Sequence, residues 1–210
     1  STTQEQLDYL RFPLGSISKS ETRNIAEKLN LNVATKPDSQ DICFVPNGDY
    51  SSVIKRYRPE SFKSGDIFDL KGKKLGSHDG IINYTIGQRR GIKISNQEPL
   101  YVVDIKTKEN SIIVGPQEYL NIKKLYLRNM NFLSDKKIFD KEIFIKVRST
   151  GRLLKAKSII KTDSAIIEIL QDEKGISPGQ ACVFYCKDNF GERVLGGGWI
   201  DKTVNKNLST

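Results

Sequence analysis

Leu153-Leu-Lys-Ala-Lys-Ser-Ile-Ile-Lys161 and Ala165-Ile-Ile-Glu-Ile-Leu170, separated by a turn at Thr162-Asp163, decide the fold class of this chain. Both runs are short, and polar turn residues join them. Neither alternates enough between apolar and polar positions for a sheet with one freely exposed face, which fits strands around a closed core. Working outward, residues 124–133, 142–149, 180–186 and 194–200 read as further strands, with turns at Thr150-Gly151 and 188–191. Strands at this spacing predict a small antiparallel barrel. Cys182 and Cys186 are four apart on one strand, so they share a face and read as core residues. Gly196-Gly-Gly198 would let another backbone approach closely. The polar tail after Asp201 is expected to fray.

Upstream, residues 66–70, 73–75, 99–105 and 111–115 read as short strands with turns at Lys71-Gly72 and 106–110. Residues 77–91 between them are polar and Gly-rich and read as a shaped loop. The loop holds His78, the only histidine. It lacks companions at zinc spacing and reads as a hydrogen-bonding structural residue. Gly87-Gln-Arg-Arg-Gly91 lacks the full phosphate-loop pattern and a following helix, which rejects a nucleotide site there.

Before residue 61 the period is helical. Residues 3–10 read as a helix broken by Phe12-Pro-Leu-Gly15. Ser18-Lys-Ser-Glu21 is a capping box ahead of a helix carrying Ile25, Ala26 and Leu29 on one face, with Asn30 and Asn32 at its end. This helix reads as a packing element. Asp49 fits the cap of a helix that runs to Tyr57 and stops at Arg58-Pro59. The fold class is therefore mainly β with an N-terminal helical segment. The expected domains are 1–60, a small central β domain at 61–118 and a C-terminal antiparallel β-barrel at 119–204.

The chain has 210 residues and a net charge of +9. Residues 120–161 hold twelve Lys or Arg and three Asp or Glu, a net of +9, while the rest holds 22 of each sign. A charge-rich run is either a solvated face or a polyanion surface, and a one-sided excess confined to one segment favours nucleic acid. No apolar run approaches bilayer-spanning length. Three cysteines, an odd number, argue for a reducing compartment, the cytoplasm.

Lys36-Pro-Asp-Ser-Gln-Asp-Ile-Cys43-Phe-Val45 sets a thiol between a polar run and an apolar exit. On residues alone, Cys43 fits either a buried small apolar side chain or an accessible thiol on a polar loop. The neighbouring words bear on that choice. Phe12-Pro-Leu-Gly15, Asp38-Ser-Gln-Asp-Ile-Cys-Phe-Val45, Gly65-Asp-Ile67, His78-Asp-Gly80, Tyr84-Thr-Ile-Gly-Gln-Arg-Arg-Gly91, Pro178-Gly-Gln-Ala181 and Leu195-Gly-Gly-Gly-Trp-Ile200, in that order, resemble the tRNA-specific 2-thiouridylases. The likeness is collinear over essentially the whole chain.

That resemblance implies ATP-dependent 2-thiolation of the wobble uridine of tRNA. It implies that residues 1–60 are the end of a truncated α/β ATP-pyrophosphatase domain, with Cys43 the catalytic cysteine that carries sulfur as a persulfide. It implies tRNA contacts at Arg148, Ser149 and Gln180. ATP with magnesium is expected on the N-terminal ATP-pyrophosphatase domain, since no Ser-Gly-Gly-type loop and no cysteine before Cys43 occur here. The chain is thus expected to be an incomplete fragment, inactive alone. Its expected partners are tRNA, that N-terminal domain, and a sulfur-donor or sulfur-relay protein, with no membrane. The competing readings are a stand-alone RNA-binding barrel without chemistry and a barrel that docks a protein.

Overall fold

In the computed structural model, which describes residues 2–37, 50–189 and 191–207, two short helices come first and are specified by their own ends. Helix α1 (Gln4–Tyr9) is closed by Thr3, whose hydroxyl accepts from Gln6 N while Gln6 Oε1 accepts from Thr3 N. Helix α2 (Lys19–Lys28) repeats the device: Ser18 Oγ accepts from Glu21 N at 3.3 Å and Glu21 Oε2 accepts from Ser18 N at 2.7 Å. Its far end is a Schellman turn. Asn30 takes φ 53°, Asn30 N donates to Glu27 O, and Leu31 N donates to Ala26 O. Neither helix buries a residue, so among the described residues α2 is not the packing element its sequence suggests. Helix α3 (Tyr50–Tyr57) follows and closes the first of two compact units, Thr2–Tyr57.

The second unit, Arg58–Thr210, opens with a four-stranded sheet. Its strands are β1 (Gly65–Phe68), β2 (Lys74–His78), β3 (Tyr101–Lys106) and β4 (Ser111–Gly115), in the order β2-β1-β4-β3. The β1–β2 turn is fixed by Asp69, whose carboxylate accepts from Lys71 N and Lys73 N, both at 2.8 Å. Ile67, Val102, Ile112, Val114 and Ile92 form its core. Ser77 and His78 are not loop residues: they pair with Asp66 and Gly65 and complete β2. His78 is buried, Nδ1 accepting from Gly80 N at 3.0 Å, so Nε2–H donates to Asn110 O at 3.1 Å. A Cβ on Gly65 would collide with the Asn110 carbonyl and with His78 Nε2.

The rest closes into a barrel of six strands, ordered β10-β5-β8-β7-β6-β9. These are β5 (Ile122–Phe132), β6 (Ile143–Lys146), β7 (Leu154–Ile160), β8 (Ser164–Ile169), β9 (Ala181–Asp188) and β10 (Gly191–Asn205). Leu125, Leu127, Ile143, Ile145, Leu154, Ala156, Ala165, Ile167, Ile169, Cys182, Phe184, Leu195 and Ile200 fill the interior. Inward and outward positions alternate strictly on β8; the sequence hides this because Ile166 faces outward among inward apolar neighbours. Phe139, on a 3-10 turn at Lys136–Asp140, meets Phe184 edge-on at 5.5 Å between ring centroids. Burying one such side chain contributes about 1.5–3 kcal/mol.

The triglycine lies in β10 where the strand is bonded on both sides. Gly196 pairs with Phe132 of β5 and Phe184 of β9, takes φ +138°, and a Cβ there would run into the Asn131 carbonyl. The tail does not fray at Asp201. Because β5 is long and begins at Ile122, it offers partners to Thr203, Val204 and Asn205, and Lys206 N donates to Asn121 O at 2.8 Å.

Candidate nucleic-acid interface

The basic segment 120–161 becomes β5, the Phe139 turn, β6 and β7. Strand alternation turns its apolar residues inward and its cations outward, as on β7, where Leu154 and Ala156 are buried while Lys155 and Lys157 are exposed. Part of the charge is matched: Arg128–Asp201 at 3.1 Å, Lys146–Glu192 at 4.0 Å, Arg152–Glu173 at 3.3 Å and Lys155–Glu142 at 3.3 Å. Such surface pairs are worth about 0.2–1 kcal/mol each. Among the described residues Lys123, Lys124, Lys137, Lys141, Lys157 and Lys161 carry no ion pair. A cleft of about 330 Å³ gathers Lys124, Lys141 and Lys157, but Glu142 and Glu168 line it too.

Arg148, Ser149 and Gln180 come to one end of the barrel. β6 ends, Val147 stays buried, and Arg148 opens a turn closed by Gly151 N donating to Arg148 O at 3.0 Å. One guanidinium nitrogen of Arg148, Nη2, donates to Gly175 O at 2.6 Å and to Lys174 O at 3.3 Å. Gln180 Oε1 accepts from Ser177 N at 3.1 Å, and its carbonyl accepts from Ile200 N at 2.8 Å. Arg148 and Gln180 thus brace one segment, residues 171–180, from its middle and its end. Ser149 is exposed beside Arg148.

Sequence reasoning missed that segment. It is held by Gln171 Oε1 accepting from Lys155 N, by Arg152 donating to Asp172 O at 2.6 Å, and by Ile122 N donating to Glu173 O at 2.9 Å. The available signal was Lys174-Gly175 behind the acidic pair Asp172-Glu173, a turn between two strands.

Cys43 lies outside the described residues. Cys182 is fully buried and burial pushes its thiol well above the ordinary range; Cys186 is half-buried against the barrel core. Both are free thiols. Among the described residues no three His, Cys, Asp or Glu side chains cluster as a metal site, and no helix is long and apolar enough to cross a membrane. In the Gly87–Gly91 loop two amides serve the fold, Gly87 N donating to Val102 O at 2.8 Å and Gln88 N to Thr85 O at 3.0 Å.

Comparison with known proteins gives three adjoining family matches. Residues 1–47 match the tRNA methyl transferase HUP domain, 51–116 the tRNA methyl transferase PRC-barrel domain, and 122–200 the aminomethyltransferase beta-barrel domain. The chain is 53% identical over 208 residues to the tRNA-specific 2-thiouridylase MnmA of Rickettsia massiliae (strain Mtu5), covering 97% of this chain and 56% of the relative. It is 52% identical over 208 residues to that of Rickettsia conorii (strain ATCC VR-613 / Malish 7), and 51% over 209 residues to that of Rickettsia canadensis (strain McKiel), covering 97% of this chain and 55% of each relative. The chain therefore spans just over half the length of these relatives.

Proposed function

We propose, from the premise that this chain belongs to the tRNA-specific 2-thiouridylase family, that it supplies the sulfur-carrying cysteine and the tRNA-gripping barrel of a tRNA-uridine 2-sulfurtransferase. The observation that carries this reading is the collinear likeness over 97% of the chain, which includes Cys43 and the barrel. A sulfur-donor or sulfur-relay protein presents a persulfide. The Cys43 thiolate attacks the outer sulfur, the donor's S–S bond breaks, the donor leaves as a thiolate, and the new S–S bond sits on Cys43. The terminal sulfur then adds to C2 of the wobble uridine, the activated 2-oxygen leaves, and a second cysteine thiolate attacks the Cys43 sulfur, breaking its S–S bond and leaving a disulfide on Cys43. Activation of that uridine by ATP with magnesium, and the second cysteine, are assigned to the part of the relatives that this chain does not cover.

The barrel's role is to hold tRNA by its phosphates through the outward lysines and the Arg148 end. Two measurements test the reading. Brief exposure to a low-molecular-weight persulfide followed by mass spectrometry should add one sulfur at Cys43 before Cys186, and at Cys182 last. Sulfur appearing on Cys182 or Cys186 ahead of Cys43 removes the chemical half. A salt titration of tRNA binding should be steep, and a flat response removes the barrel half. Steep binding with no persulfide on Cys43 leaves the second reading, an RNA-binding barrel without chemistry, which the closed barrel favours.

A further inference from the structure

Within segment 171–180 every acid is already matched. Glu173 is paired with Arg152 at 3.3 Å and Asp172 with Lys206 at 2.9 Å, both cations coming from outside the segment. Two cations remain. Lys174 is exposed and has no ion pair among the described residues, and its backbone is fixed by a bridge to Asn121 at the start of β5. Arg148 donates through Nη2 to the carbonyls of Lys174 and Gly175, while its Nη1 and Nε have no partner among the described residues. A guanidinium held at one corner by two carbonyls has lost its rotamer freedom before any ligand arrives, so less is lost when the free donors engage an anion. The hydroxyls of Ser149 and Thr150 lie next along the exposed turn.

Gly175 makes this arrangement possible. It takes φ +67°, and a Cβ on it would lie 3.1 Å from Arg148 Nη2. The Arg148 guanidinium rests on the Lys174 backbone, so both cations belong to the same short stretch, whose two acids are already matched and leave its charge positive.

Resting on the reading of the barrel as tRNA-binding, we propose that Lys174 and Arg148 form a two-cation site for a backbone phosphate of the RNA. Gly175 and the carbonyls beside it are positioning groups that aim the guanidinium. Lys174 is a binding residue that the sequence alone did not single out.

The test is a salt titration of the binding of a tRNA transcript to the whole chain and to Lys174→Gln, Arg148→Lys and Gly175→Ala, with Trp199 fluorescence confirming that each variant is folded. Lys174→Gln should lower the log–log salt slope by about 0.7–0.9, the share of one phosphate contact. Arg148→Lys keeps the charge but cannot hold two carbonyls and a phosphate at once, so affinity should fall roughly tenfold, the equivalent of one hydrogen bond to a charged group. Gly175→Ala, which alters no charge, should also weaken binding. A steep wild-type slope with Lys174→Gln unchanged in slope and affinity overturns the two-cation site and leaves tRNA binding standing. Arg148→Lys and Gly175→Ala both matching wild type overturns the aiming role. A flat wild-type slope overturns the reading on which the site rests.

Discussion

The N-terminal helices and the barrel treat their apolar side chains in opposite ways. Phe12 is 70% exposed and Leu29 64% exposed, whereas Leu125 and Phe184 are fully buried. Both regions carry correct local signals, so the difference lies in what completes them. Helix α2 is specified at both ends by neighbours within four residues, a capping box and a Schellman turn. Caps can select a helix but supply little stability to ten residues without packing. The barrel depends on register between strands far apart in sequence, and each strand buries its inner face only when all six are in place. One region is written locally and left uncovered among the described residues; the other is written globally and finished.

The largest test of that contrast is a matched pair of truncations. Phe184→Ala should destabilise the barrel by about 3–5 kcal/mol, while Leu29→Ala, at an exposed site, should stay within about 0.5 kcal/mol. Trp199 is the only tryptophan and lies on β10, so its fluorescence in urea reports the barrel alone. Equal losses for the two variants would break the comparison.

Next comes the triglycine. Gly196→Ala places a methyl group against the Asn131 carbonyl at a backbone angle that L-residues avoid. The expected loss is about 2–4 kcal/mol, read by the same unfolding curve. A loss below that of an ordinary surface change would mean that β5 and β9 do not hold β10 as closely as they do here.

How much of this was legible follows the same division. The capping box at Ser18 and Glu21 could be read from the letters because its partners are three residues apart. The six barrel strands were legible as strands, but not their closure partners or their ends. The tail beyond Asp201 reads as polar and loose, yet its backbone groups pair with β5, whose residues lie some eighty positions earlier. His78 reads as a loop residue because Gly and Asp surround it; only the pairing of Ser77 and His78 with β1 makes it the end of a strand. At the candidate interface, Arg148, Ser149 and Gln180 came from resemblance, and the segment that joins Arg148 to Gln180 was invisible. Its hydrogen bonds run to backbone carbonyls and amides, which carry no sequence signature.

A moderate effect should come from Ser18→Ala, which removes the hydroxyl that closes α2 and should lower helix stability by about 1 kcal/mol. Carbon chemical shifts of residues 19–28 would register the loss, and barrel fluorescence should not move. A barrel response would show that the two regions are coupled in stability.

The smallest effect expected is the pH response of the same cap. Hydrogen bonds from the Ser18 side chain and backbone hold the Glu21 carboxyl below the ordinary carboxylate range. The bound form is the ionised one, so the folded cap has the lower pKa and the frayed chain the ordinary one, about 4.3. The sign follows: the contribution of Glu21 is fully present above that ordinary value and is lost as pH falls through the lowered one. An NMR titration should give Glu21 a midpoint below the ordinary carboxylate value. Helical shifts of residues 19–28 should weaken as Glu21 titrates. Ser18→Ala should bring the Glu21 midpoint back toward the ordinary value, while Trp199 fluorescence stays level over that step. An unshifted Glu21 midpoint in the wild-type chain would mean that the capping box does not persist in solution, and that this helix, uncovered on its apolar face, needs a covering surface before its local signals take effect.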